Sequence, residues 1–89
     1  CAGTGELDAA AAEFAKATEL DPAFFSAHVH LGNVCVQRRD LDGAIAAYRE
    51  AVRLRPREAR LLGNLGVALR TKGDLPAAAA AYEAMLRLA

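Results

Sequence analysis

The side chains best suited to metal binding or nucleophilic attack are two histidines, His28 and His30, and two cysteines, Cys1 and Cys35. Residues two apart on a helix point to different faces, so His28 and His30 cannot chelate one metal together. His28 falls at a packing position and is expected to be a core or half-buried histidine. His30 has no acidic partner at helical spacing to make it a catalytic base. Cys1 and Cys35 fit neither a zinc pattern nor a multi-bridge framework. Cys35 is expected to be buried and therefore unreactive. The chain also has no Gly-rich phosphate loop, no GxSxG elbow and no HExxH helix. The reading is therefore no catalytic residue, no metal site and no cofactor, and a chain that is not an enzyme.

What remains is recognition chemistry. Helical spacing puts Val29, Asn33 and Val36 on one stripe and Arg60, Asn64 and Val67 on another. An asparagine can bond both the N–H and the C=O of an extended peptide backbone. Arg60 and Arg70 can each hold a carboxylate in a planar fork. Overall the 11 acids and 11 bases cancel, so bulk charge gives no case for a nucleic-acid or membrane partner. No apolar run approaches the roughly 20 residues of a membrane span. The charges are nevertheless unevenly placed: residues 1–34 carry five acids against Lys16 alone, and residues 35–72 carry nine bases against four acids. Solvated helix faces account for this. The sharper alternatives are that opposite ends attract when copies stack, or that the basic part attracts an acidic ligand.

The elements that position these side chains repeat. Leu31-Gly32 recurs as Leu65-Gly66, and Asp40-Leu41 recurs as Asp74-Leu75 at the same interval. Ala44 and Ala78, Tyr48 and Tyr82, and Leu54 and Leu88 keep the same offset. Backwards, Leu41, Ala44, Tyr48, Ala51, Leu54 and Pro56 map onto Leu7, Ala10, Phe14, Ala17, Leu20 and Pro22, and Cys35 onto Cys1. A fixed period of about 34 residues marks a stacked array of supersecondary units. Each period holds two helices: about Phe24–Arg38 and Leu41–Leu54, then Glu58–Thr71 and Leu75–Leu88, with Leu7–Leu20 ahead of them. Asp40 stands where an N-cap acceptor belongs. Pro56 stops one helix and suits the first turn of the next, and Pro76 falls in a first helical turn. Gly5 and Gly73 occupy the turn position, where a left-handed conformation is often required; Arg39 replaces glycine there, so that turn is expected to be strained. Gly32, Gly66, Ala44 and Ala78 are small so that two helices can approach closely, with Leu31, Leu65, Tyr48 and Tyr82 filling the flanks.

On these residues the sequence resembles the tetratricopeptide repeat over its whole length. The resemblance implies an all-α, right-handed superhelical α-solenoid of antiparallel helix pairs, about two and a half repeats, with a concave groove that takes a peptide or protein partner. It places the groove lining at Ser26, Val29, His30, Asn33, Val36 and Gln37 in one unit and at Arg60, Gly63, Asn64, Val67, Arg70 and Thr71 in the next. Asn33 and Asn64 match two asparagines of the repeats that clamp chaperone C-terminal carboxylates, but Val29 stands where those repeats have lysine. Asn64 is also similar to the asparagine ladder of the O-linked N-acetylglucosamine transferases, which His30 interrupts.

By this register the units are 1–22 (partial), 23–56 and 57–89 (lacking its linker), and the 89 residues are expected to be a piece of a longer array. Cys1 followed by small residues also looks like a processed lipoprotein start, but as the counterpart of Cys35 it is read as a repeat position. Terminal repeats normally carry a polar outer face. Here Leu7, Ala10, Phe14, Ala17 and Leu20 at one end, and Ala79, Met85 and Leu86 at the other, are expected to be left uncovered, which predicts self-association by end-to-end stacking or helix exchange. Three functions compete: a peptide- or protein-binding module, a structural segment that assembles by end stacking, and the regulatory arm of a larger enzyme such as a glycosyltransferase.

Overall fold

A computed structural model describes residues 4–88, and Cys1 lies outside them. Five helices follow one another: α1 (Thr4–Leu20), α2 (Phe25–Gln37), α3 (Leu41–Leu54), α4 (Ala59–Lys72) and α5 (Leu75–Arg87). There is no strand among the described residues. Each helix packs chiefly on the next one along the chain, as in a solenoid, and the whole measures 37 × 29 × 17 Å. The architecture is an all-α helical-repeat solenoid.

Local chemistry sets where the helices begin and end. The Asp40 carboxylate accepts the Gly43 N–H at 3.1 Å, capping α3. A Cβ on Gly43 would lie 2.6 Å from that carboxylate, so glycine gives the cap its room. Asp74 caps α5 through the Ala77 N–H at a longer 3.4 Å, and Pro76 stands in the first turn of that helix. At the ends of α2 and α4 the chain makes one tight turn twice. The Asp40 N–H reaches the Cys35 carbonyl at 2.8 Å, and the Asp74 N–H reaches Leu69 at 2.9 Å. Both turns need a left-handed residue: Gly73 at φ 101° and, one period earlier, Arg39 at φ 64°. A side chain there costs about 1–2 kcal/mol that glycine avoids, so the expected strain at Arg39 is present.

Two expectations about turns need correcting. Gly5 lies inside α1 and has no positive φ. The first-turn N–H groups of a helix have no intrahelical partners, so this position can join the helix without a turn being imposed on it. Pro56 does end α3, but it stands in the turn ahead of α4 and not in that helix's first turn, which begins at Ala59.

The core lies between α2, α3, α4 and α5 and is built from Cys35, Ala44, Ile45, Tyr48, Ala51, Leu61, Leu65, Ala68, Leu69, Ala78 and Ala81. Its small residues set the helix spacing. A Cβ on Gly32 would sit 2.5 Å from a Tyr48 ring carbon, and one on Gly66 would sit 2.8 Å from a Tyr82 ring carbon. His28 is buried, and its Nε2–H donates to the Pro22 carbonyl at 2.8 Å, tying the turn after α1 to α2. Arg55 at the end of α3 covers the Phe25 ring at 4.3 Å.

A second repeat appears in the charges. Arg38 pairs with Asp8 at 2.7 Å and Lys72 pairs with Asp42. Bases and acids alike are one period apart, so the same position of one unit reaches the same position of the unit before. At the ends, Ala79 and Leu86 are open to solvent, Leu86 at 66%. Met85 is half-buried: its sulfur would lie 3.1 Å from a Cβ on Gly63, so it fills a gap against α4 and is not left uncovered as expected. On α1, Leu7, Ala10, Phe14 and Ala17 are half-buried, again not left uncovered as expected; α1 packs on α2, and Phe14 stacks on His30. Leu20 is 79% exposed.

Candidate functional site

Residues from the last two turns of α2 and of α4 line a groove of about 750 Å³. Asn33, Val36 and Gln37 of α2 form one wall, and Asn64, Val67, Ala68 and Thr71 of α4 form the other. Leu41 and Tyr48 of α3 also line it, and Arg39 stands beside them in the α2–α3 turn.

The polar groups of the groove are held in defined states. The Tyr48 hydroxyl donates to Asn33 Oδ1 at 2.5 Å, which turns the amide so that its NH₂ is left for another acceptor. Burial raises the Tyr48 phenol above its usual range, with the neighbouring Cys35 adding to the effect, so the hydroxyl keeps the proton that it donates. Thr71 Oγ1 donates to the Val67 carbonyl at 2.8 Å, leaving its lone pairs to accept. Val36 and Val67, 38% and 44% exposed, supply apolar surface between these groups. Val67 is the repeat counterpart of Asn33, so the tyrosine-held amide belongs to one unit of the groove alone.

Of the residues that the sequence placed in the groove, Asn33, Val36, Gln37, Asn64, Val67 and Thr71 come together. The others do not join them. Ser26 is exposed at the start of α2, and Val29 is half-buried against the core. His30 is exposed but stacks on Phe14 of α1, with centroids 5.3 Å apart and an interplanar angle of 25°. Gly63 sits against Met85 of α5. Arg60 and Arg70 are exposed on α4 outside the groove. In exchange, the groove takes in Arg39, Leu41, Tyr48 and Ala68. Arg39 had a signal in the sequence, a bulky residue where the repeat has glycine. Tyr48 is a helix-packing position by its sequence pattern, and it packs as well as holding Asn33. Leu41 is a repeat position and Ala68 an apolar one, and neither carries a sign of the groove.

The chemistry of this surface is hydrogen bonding, apolar contact and one positive charge. No group of three or more His, Cys, Asp or Glu residues is placed to hold a metal among the described residues. Cys35 is buried, and burial, with the nearby Asp40 charge, raises its pKa, so the thiolate is suppressed.

The tetratricopeptide repeat family model matches residues 2–59 and again residues 33–89. The chain belongs to the tetratricopeptide repeat family. No curated protein matches it. Tetratricopeptide repeats generally mediate protein–protein interaction, which points to protein partners. None of its described helices is long and apolar enough to cross a membrane.

Proposed function

We propose that the chain captures an extended segment of a partner polypeptide in the groove between α2 and α4. The observation that carries this reading is the pairing of side-chain amides with exposed valines across one groove. An extended strand presents alternate backbone amides and alternate side chains. Asn33, with its NH₂ left over by Tyr48, suits a backbone carbonyl. Asn64 and Gln37 offer both donors and acceptors, and Val36 and Val67 suit a small apolar side chain. On this reading the chain acts by binding and performs no catalytic step of its own; within a longer protein the same groove would serve as a regulatory or docking arm.

The test is a peptide-display selection against the protein, followed by calorimetry of the recovered sequences on Asn33→Ala and Asn64→Ala. Each substitution should weaken binding at least several-fold while leaving the helical circular dichroism unchanged. Equal affinity in the wild type and both variants would refute the groove as the site.

A second reading is assembly by end stacking, favoured by the exposed Leu86 and Ala79 on α5. At roughly 25 cal/mol per Å², covering a few hundred Å² of apolar surface contributes several kcal/mol. Sedimentation across a concentration range separates the two, because Leu86→Glu should abolish association on the stacking reading and leave peptide binding untouched. A single sedimenting species of monomer mass at every concentration would eliminate the stacking reading.

A further inference from the structure

Arg39 occupies a left-handed position, φ 64°, that the next unit gives to Gly73 at φ 101°. A β-carbon there lowers stability relative to glycine, and no side-chain hydrogen bond of Arg39 offsets the loss among the described residues. Arg38, one residue earlier, pairs with Asp8, and Lys72 pairs with Asp42, but Arg39 makes no ion pair among the described residues. Its neighbour Asp40 is already engaged by the Gly43 N–H. Instead, Arg39 lines the groove, where no other lining residue is charged. It is solvent-exposed there, with Leu41 and Val36 also in the lining, so its guanidinium is open to an incoming group.

We propose that Arg39 is the specificity residue of the groove, and that it binds the carboxylate of a Glu or Asp side chain on the captured segment. This rests on the groove reading given above. A guanidinium offers a carboxylate two parallel N–H donors, which a neutral amide cannot match with a charge. The backbone strain is then a stability cost retained for recognition, in the way strained residues gather at ligand sites. The partner is accordingly a polypeptide segment with an acidic side chain flanked by small apolar ones.

The experiment uses short peptides with acetylated N-termini and amidated C-termini, so that no terminal charge contributes. One set carries a single Glu at each position in turn; a matched set carries Gln. Fluorescence anisotropy should find one register at which Glu binds about tenfold tighter than Gln, an advantage that shrinks as salt rises. Arg39→Gly should bring that ratio to about one and, at the same time, raise the urea midpoint of unfolding. Arg39→Lys should keep part of the preference without the gain in stability. Equal binding of the two sets, or a Glu preference that survives in Arg39→Gly, overturns the role of Arg39. The groove reading survives that result if Asn33→Ala weakens both sets alike. Failure of every peptide in both sets to bind overturns the groove reading and this inference with it.

Discussion

Adding one methyl group at Gly32 and one at Gly66 makes a matched pair of perturbations with different expected outcomes. Both glycines lie inside a helix, so replacement by alanine favours the helix by about 1 kcal/mol in each case. Against this stands the clash with the tyrosine of the following helix. At Gly32 the new Cβ would meet three Tyr48 ring atoms at 2.5, 2.7 and 3.0 Å. Tyr48 is only 2% exposed, and its hydroxyl is held by Asn33, so the ring has nowhere to go. Overpacking of this kind costs about 1–3 kcal/mol, and losing the hydroxyl bond adds about 1 kcal/mol. The net expectation for Gly32→Ala is a loss of about 2 kcal/mol, a fall in Tm of roughly 10 °C for a domain of this size. At Gly66 the nearest Tyr82 atom is 2.8 Å away, but that ring is half-buried and no hydrogen bond ties its hydroxyl among the described residues. It can swing outward, and Gly66→Ala should stay within about 1 kcal/mol of wild type. Urea and thermal unfolding followed by helical circular dichroism read both values. A Gly32→Ala variant as stable as wild type, or a Gly66→Ala variant that loses more, would refute the reasoning that Tyr48 is fixed and Tyr82 is not.

Three further outcomes are expected. Asp40→Ala should destabilise by about 1 kcal/mol, as loss of an N-cap does, and Asp74→Ala by less, since its cap bond is the longer of the two; urea midpoints compare them. Burial raises the pKa of both Cys35 and Tyr48 in the folded chain, so the folded state holds protons that the unfolded state releases. The stability that these two groups contribute should therefore be fully present around neutral pH and be lost as pH rises above about 8.5, through the raised folded values. Cys35→Ala should flatten the first part of that decline, and an unchanged profile would contradict the assignment. The repeated pairs Arg38–Asp8 and Lys72–Asp42 are partly exposed, so a double-mutant cycle on either should return less than about 1 kcal/mol, screened by salt.

The period, the caps and the close helix approaches were legible because each leaves a mark on residue type: glycine opposite tyrosine, aspartate before a helix, the same letters one period on. The groove was legible only in part. Helical spacing tells which side chains share a face, but not which neighbour covers that face. His30 and Asn33 lie within one turn of α2, yet His30 is stacked by Phe14 of α1 while Asn33 opens to the groove. Val29 and Gly63 were taken by packing in the same way, against the core and against Met85. Arg60 and Ser26 stand near the starts of α4 and α2, ahead of the level at which the groove opens at Asn33 and Asn64. Arg39 was visible as a misfit in a turn, but that its side chain lines the groove depends on how the α2–α3 turn stands beside α4, which no local pattern encodes.

The central claim is that the α2–α4 groove is where a polypeptide partner is held. It is tested most directly by titrating the strongest peptide from the display selection into ¹⁵N-labelled protein and following the amide spectrum. The expected result is that the side-chain NH₂ signals of Asn33 and Asn64 and the backbone amides of Val36, Gln37, Arg39, Val67 and Thr71 shift together, saturating at one equivalent. Shifts concentrated on α1 or on the outer face of α5, with the Asn33 and Asn64 signals unmoved, would contradict it.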